Sequence, residues 1–484
     1  MRRPLVAVLL LAVCHHVASV STFADLEKAV ATEDVGMIEI TGSEIIFPRQ
    51  IEVGGGTTVS IESDAQTTLS GGGTTRLFFL NKNSALNLHG VNLIRGRDAT
   101  CLWCGGGAIF VSLGGELLLH SVRLSANSAE IGGAISALSS TVTVIGCTMT
   151  ANSASVAGGV IYAGGNSNVT ANNCNMNSNT AYSGGAFFVG RDSILLATNC
   201  SMTSNTAAEG GAILAAGYSK VTATHCTMVS NSAERQDVWH LAQGAGGALY
   251  LSDNSTVTAN DCTMTSNFAG SGGAVFAGGS STVVTSNCTM SSNSAYDHGG
   301  AVYASDGSTF VVAHCTMSSN TAVVYGGGAV KADGGTSMGT VTHCTMLSNS
   351  AESGGAISVE ESSTVTVTDC TMLSNSAAKG GAVHVGGSSS VTVADCTMLS
   401  NSAVTGGAVH IHVHGVSAVE ATSCTMASNS AQLGGAVYYT NDVDCTHRLC
   451  DTEMPVFQLA VAHCDIHSNH ADNEVLIAPA PLVC

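Results

Sequence analysis

Gly380-Gly381-Ala382-Val383-His384-Val385-Gly386-Gly387-Ser388-Ser389-Ser390-Val391-Thr392-Val393-Ala394-Asp395-Cys396-Thr397-Met398-Leu399-Ser400-Asn401 is one unit of a repeating chain. It contains three short stretches in which apolar and polar residues alternate. Val383 and Val385 share a face opposite His384. Val391 and Val393 oppose Thr392, and Cys396 and Met398 oppose Thr397. A period of two is the signature of a strand with one buried face. Gly386 to Ser389 turn the chain after the first strand, and Ala394-Asp395 after the second. Leu399 to Thr405 lead to the next Gly-Gly.

That step recurs. Gly-Gly-Ala or Gly-Gly-Val begins at Gly106, Gly132, Gly158, Gly184, Gly210, Gly246, Gly272, Gly299, Gly327, Gly354, Gly380, Gly406 and Gly434, and seven of the twelve intervals are 26 residues. A fixed period of this length marks a solenoid. The leucine-rich pattern and any helical period are absent. The expected fold is therefore all-β: a right-handed parallel β-helix solenoid of about 15 coils of ~26 residues, with three short strands per coil. At a strand spacing of about 4.8 Å the rod is roughly 70 Å long.

Three columns support this reading. The turn before the third strand holds Gly146, Asn173, Asn199, His225, Asp261, Asn287, His314, His343, Asp369, Asp395, Ser423 and His463. Gly, Asn, Asp and His tolerate positive φ best, so a left-handed turn residue is expected in every coil. A column of asparagines from Asn127 to Asn469 suits amide stacking along the axis. Twelve of the 18 cysteines, from Cys147 to Cys464, form the third column. Stacked residues point the same way with Cβ atoms about 4.8 Å apart, whereas a disulfide prefers about 3.8 Å. These are expected to be reduced core thiols. Cys101 with Cys104, and Cys445 with Cys450, lie in loops and are candidate local disulfides, with zinc as the alternative.

The domain reading has four parts. Residues 1–19 form a secretory signal, with Arg2 and Arg3 ahead of an apolar run and small residues at Val17-Ala18-Ser19. Residues 20–104 hold an N-terminal cap, with a short helix near Phe23–Ala31, and the first irregular coils. Residues 105–470 are regular repeats, with insertions at 234–244 and 440–456. Residues 471–484 form a tail. No later segment is long and apolar enough to span a membrane, and no outer-membrane barrel is read after the repeats. A secreted or cell-surface location follows. The net charge of −19 disfavours nucleic acid as a partner.

Candidate sites lie on the outside. The outward position of the first strand carries Phe110, Tyr162, Phe188, Tyr250, Phe276, Tyr303 and Tyr438. This reads as an exposed aromatic stripe that binds a ligand such as a polysaccharide, or a cell-surface protein. Stacking between strands is the structural alternative. His384, His410 and His412 form a candidate metal cluster, with His414 beyond them. Asp369 and Asp395 are a weaker carboxylate pair. Outward threonines form a lattice that suits ordinary strand surface or ice. Asn168, Asn199, Asn254 and Asn287 open glycosylation sequons. No cofactor is expected.

The recurring pair of Gly-Gly-Ala-Ile/Val and Met-x-x-Asn, as in Met149-Thr150-Ala151-Asn152 and Met398-Leu399-Ser400-Asn401, resembles the repeats of chlamydial polymorphic outer membrane proteins over roughly 105–470. Those repeats carry Phe where this chain has Met. The chain is also similar to pectin-lyase-like β-helix proteins. The first resemblance implies a surface adhesin. The leading expectation is a non-catalytic rod for adhesion or ligand binding. A polysaccharide lyase or hydrolase is the alternative, and an ice-binding or structural wall protein the minor one. Catalysis on this scaffold asks for carboxylates with Lys or Arg on the ligand-facing sheet. The outward line of the first strand supplies one Lys and no Asp or Glu, so the chain is not expected to be an enzyme.

Overall fold

A computed structural model describes residues 16–32, 35–64, 66–98, 105–234, 244–413, 417–441 and 457–473. The apolar alternation read from one coil persists through the rod, because each strand buries its inward residues only against the coils above and below. The result is a right-handed parallel β-helix. Its first, second and third strands stack into parallel sheets of 15, 17 and 16 strands. Pairing is in register: Val383, His384 and Val385 lie beside Val409, His410 and Ile411. The return segment adds a shorter fourth ladder of ten strands, represented by Ser402–Thr405.

The core is continuous from Val20 to Val437. The twelve column cysteines are free thiols; eleven are buried and Cys464 is half-buried. Each acts as a small apolar group whose sulfur approaches backbone oxygens, as Cys288 does toward Ala259 at 3.4 Å. In earlier coils Val91 and Val122 fill the same place, both buried.

The asparagine column is fully satisfied. Asn293 Nδ2 donates to Met264 O at 2.9 Å and to Asn320 Oδ1 at 3.0 Å. Its own Oδ1 accepts from Asn267 N and Nδ2. Buried amides therefore cost little, because every donor and acceptor is matched. All twelve turn residues expected to be left-handed have φ between 51° and 61°.

At the N-terminal end, the helix Phe23–Val30 is capped by Thr22 and buries Leu26, Ala29 and Val30. Strand His16–Val20 pairs with Val35–Ile40. The candidate signal cleavage after Ser19 would cut within this strand. Residues 1–15, the tail beyond 473 and the four loop cysteines Cys101, Cys104, Cys445 and Cys450 lie outside the described residues. So do His414 and most of both insertions. Among the described residues, no helix is long and apolar enough to cross a membrane.

Candidate functional site

The outward column of the first sheet departs from the expected exposed stripe. Phe110 is buried, and Tyr162, Phe188, Tyr250, Phe276, Tyr303 and Tyr438 are half-buried. The rings lie along the sheet and stack on one another. Tyr162 and Phe188 are 5.0 Å apart and nearly parallel, as are Tyr250 and Phe276. Phe110 stacks on Phe79. The residue two positions on, which shares the face, is Gly164 after Tyr162, Gly190 after Phe188 and Gly278 after Phe276. A Cβ there would approach the ring to between 2.7 and 2.9 Å. Glycine makes room for the ring to lie flat, so most of the stripe is sheet packing.

From Tyr303 onward the column changes character. Lys331, Ser358, His384 and His410 are all buried. Lys331 Nζ lies 2.8 Å from Glu360 Oε2 and 3.6 Å from Asp333 Oδ2, and donates to Ser358 Oγ at 3.2 Å. The Tyr303 hydroxyl donates to Asp333 Oδ1 at 2.7 Å. Glu360 Oε1 lies 3.2 Å from His384 Nε2. His384 Nδ1 and His410 Nδ1 are 3.0 Å apart, so one donates to the other. A continuous polar chain thus runs from Tyr303 to His410 on the outside of five successive coils.

These carboxylates add to the sequence reading, which holds for the strand itself. Asp333 and Glu360 stand two residues after Lys331 and Ser358, just past the strand, on the same face. The outward position of the strand itself carries neither acid. Extending the same period by one step would have found both acids beside the lysine.

The environment sets the charges. Burial pushes the Asp333 carboxyl above the usual carboxylate range, against the pull of Lys331. Burial acts on Glu360 in the same sense, but its hydrogen bond to His384 and the Lys331 charge outweigh it and hold it well below that range. His384 is pushed down by burial against the pull of Glu360. Burial and the neighbouring His384 take His410 down to about 3.

The candidate metal triad is brought together only in part. His384 and His410 touch, and the half-buried His412 stands two residues beyond His410. No group of three or more His, Cys, Asp or Glu is arranged to hold a metal ion among the described residues. On the turn column, Asp369 Oδ2 lies 3.6 Å from His343 Nε2 on an exposed edge. Asn168, Asn199, Asn254 and Asn287 are all exposed.

Beside the polar chain opens a cleft of about 610 Å³. Phe276 and Tyr303 line it from the sheet. His298 and Tyr325 line it from the return segments, and Asp306, Asp333, Glu360 and Glu361 from the turns after the first strand. His298 stacks between Tyr303 and Tyr325, with ring centroids 5.0 and 4.6 Å away. Tyr325 is 52% exposed, which leaves much of the phenol open to a ligand. The cleft thus brings a ring stack ending in Tyr325 together with four carboxylates. Sequence reading missed His298 and Tyr325, since return segments carry no alternating pattern that marks their inward side.

A family model described as right-handed beta helix region matches residues 159–336 and 274–451. No curated protein and no solved structure matches the chain.

Proposed function

We propose that this chain, which belongs to the right-handed beta helix family, is an extracellular, non-catalytic binding rod that holds a polysaccharide in the cleft between Phe276 and Glu361. The observation that carries this reading is one cleft lined both by the ring stack of Tyr303, His298 and the half-exposed Tyr325 and by the carboxylates Asp306, Asp333, Glu360 and Glu361. A sugar ring has an apolar face that packs on aromatic rings and hydroxyls that hydrogen-bond to carboxylates. The likeness of the repeats to those of chlamydial surface proteins supports display outside a cell, with adhesion as the outcome of binding. The leader-like first 19 residues support the same location.

The test is a panel of polysaccharides scored for retention and for product release together. Retention without release, lost in Tyr325→Ala with folding intact, is expected. Retention unchanged in that variant would remove the cleft from the account.

A second reading, glycoside hydrolysis, rests on one observation. Asp333 and Glu360 are pushed in opposite directions, one toward the neutral acid and the other toward the ionised form. Such divergence is how two carboxyls divide acid and base roles. Release of oligosaccharides that stops in Asp333→Asn would favour this reading over the first.

A further inference from the structure

We infer that the cleft selects a saccharide carrying positive charge, an amino-sugar polymer with free amines. This rests on the reading of the cleft as a saccharide site and names the ligand class. The argument begins with what is already neutralised. Lys331 is shared between Glu360 and Asp333. Glu360 turns its other oxygen to His384, and Asp333 turns its own to Tyr303. The interior acids are therefore engaged.

Asp306 and Glu361 are not. Both line the cleft, both are exposed, and neither is paired with a basic side chain among the described residues. Ser305 Oγ donates to Asp306 Oδ2 at 3.3 Å, and Gly334 N donates to Glu361 Oε2 at 3.1 Å. Each carboxylate is held by one oxygen and keeps the other for a ligand. They occupy the same turn position two coils apart, with Gly334 between them. Two strand spacings put their backbones about 10 Å apart. Both carboxylates lean toward Gly334, whose N–H holds Glu361 Oε2 and whose Cβ position lies 3.4 Å from Asp306 Oδ1, so together they face the cleft as one patch of negative charge.

His298, which also lines the cleft, supplies an independent sign of a ligand. His298 Nδ1 is buried and has no hydrogen-bond partner among the described residues. A buried polar atom left unmatched is costly and is normally satisfied by something. The exposed Tyr325 ring at the end of the stack favours a saccharide over a basic peptide, because the apolar face of a sugar packs flat on an aromatic face. An anionic polyuronate would meet uncompensated negative charge at the mouth, and is disfavoured.

The experiment is calorimetric titration of the full chain at mildly acidic pH. The probes are a fully deacetylated glucosamine oligomer, its N-acetylated counterpart, an oligogalacturonate and an oligolysine. The variants are the single Tyr325→Ala and the pair Asp306→Asn with Glu361→Gln, both on the exposed rim where folding is least at risk. The amine oligomer is expected to bind at least about tenfold more tightly than the acetylated one. The carboxylate pair variant is expected to erase that preference, and added salt to weaken it. Equal binding of amine and acetylated oligomers would overturn the charge preference while the saccharide cleft stands. Binding of neither would overturn both. Amine binding untouched by the pair variant would assign it to the general acidic surface and overturn the site. Tighter binding of oligolysine would make the partner a basic protein and overturn the saccharide class.

Discussion

Two stretches of one column can be compared because they share a backbone. From Phe79 to Phe276 the outward position of the first sheet is dominated by rings, each of which stacks on a neighbour where one is present. From Lys331 to His410 it is a buried cation, a hydroxyl and two imidazoles. The sheet, register and turns are the same in both. The scaffold therefore accepts apolar rings at this position without difficulty, and stability alone does not ask for the polar stretch. Buried ion pairs are often no better for stability than apolar groups of the same size. The polar stretch reaches the cleft through its partners Asp333 and Glu360, whereas the ring stretch reaches it only at its last ring, Phe276. The difference teaches that this column is packing in one half and chemistry in the other.

Acid should break the comparison most strongly. His410 binds its proton only near 3, against 6.5 in an ordinary environment. The unfolded chain takes up that proton first, so stability is lost as pH falls from about 6.5 toward 3. Glu360, held low, acts in the same direction below the usual carboxylate range, while Asp333, held high, opposes it. The contribution of His410 to that loss is on the order of 5 kcal/mol. Hydrogen exchange at low pH should show amides of 331–411 losing protection ahead of those of 161–277. Equal loss in both halves would refute the assignment to His410.

Removing Lys331 comes next. Lys331→Ala leaves Glu360 and Asp333 facing each other without a cation, at a cost of about 3 kcal/mol in urea unfolding. The ring half should be less sensitive. Gly190→Ala places a methyl about 2.7 Å from the Phe188 ring and should cost about 1–2 kcal/mol. Gly386→Ala meets His384 Nε2 at 3.3 Å and should cost less in the same assay. Phe188→Leu, which removes the stack on Tyr162, should cost about 1 kcal/mol. A Phe188→Leu penalty larger than that of Lys331→Ala would invert the contrast between the halves.

Much of the fold was legible because a solenoid repeats its evidence. The Gly-Gly step, the asparagine column and the left-handed turn column each appear a dozen times in the sequence, so noise at one coil does not matter. Other regularities escaped. The residue before each ladder asparagine is also left-handed, as at Ser292 and Ser400, but serine carries no such preference to betray it. The serines that open the second strand, such as Ser281 and Ser308, form a buried column. In sequence they look like ordinary turn residues. The site was less legible for a different reason. Its carboxylates, Asp333 and Glu360, sit just outside a strand, and its rings, His298 and Tyr325, come from return segments. Burial of the outward column depends on walls raised by those segments, which one strand's alternation does not report. The metal and stripe readings relied on that alternation alone, and so placed residues on a common face without fixing what covers it.

The most direct test of the central claim replaces the polar chain with apolar side chains of similar size. The variant is Lys331→Met with Asp333→Leu and Glu360→Met, measured for urea stability and for retention of the polysaccharide that the unaltered chain holds. The account predicts stability within about 1 kcal/mol of the parent together with loss of binding. A variant that loses several kcal/mol yet binds as before would show that the polar chain serves the fold and that the ligand is held elsewhere.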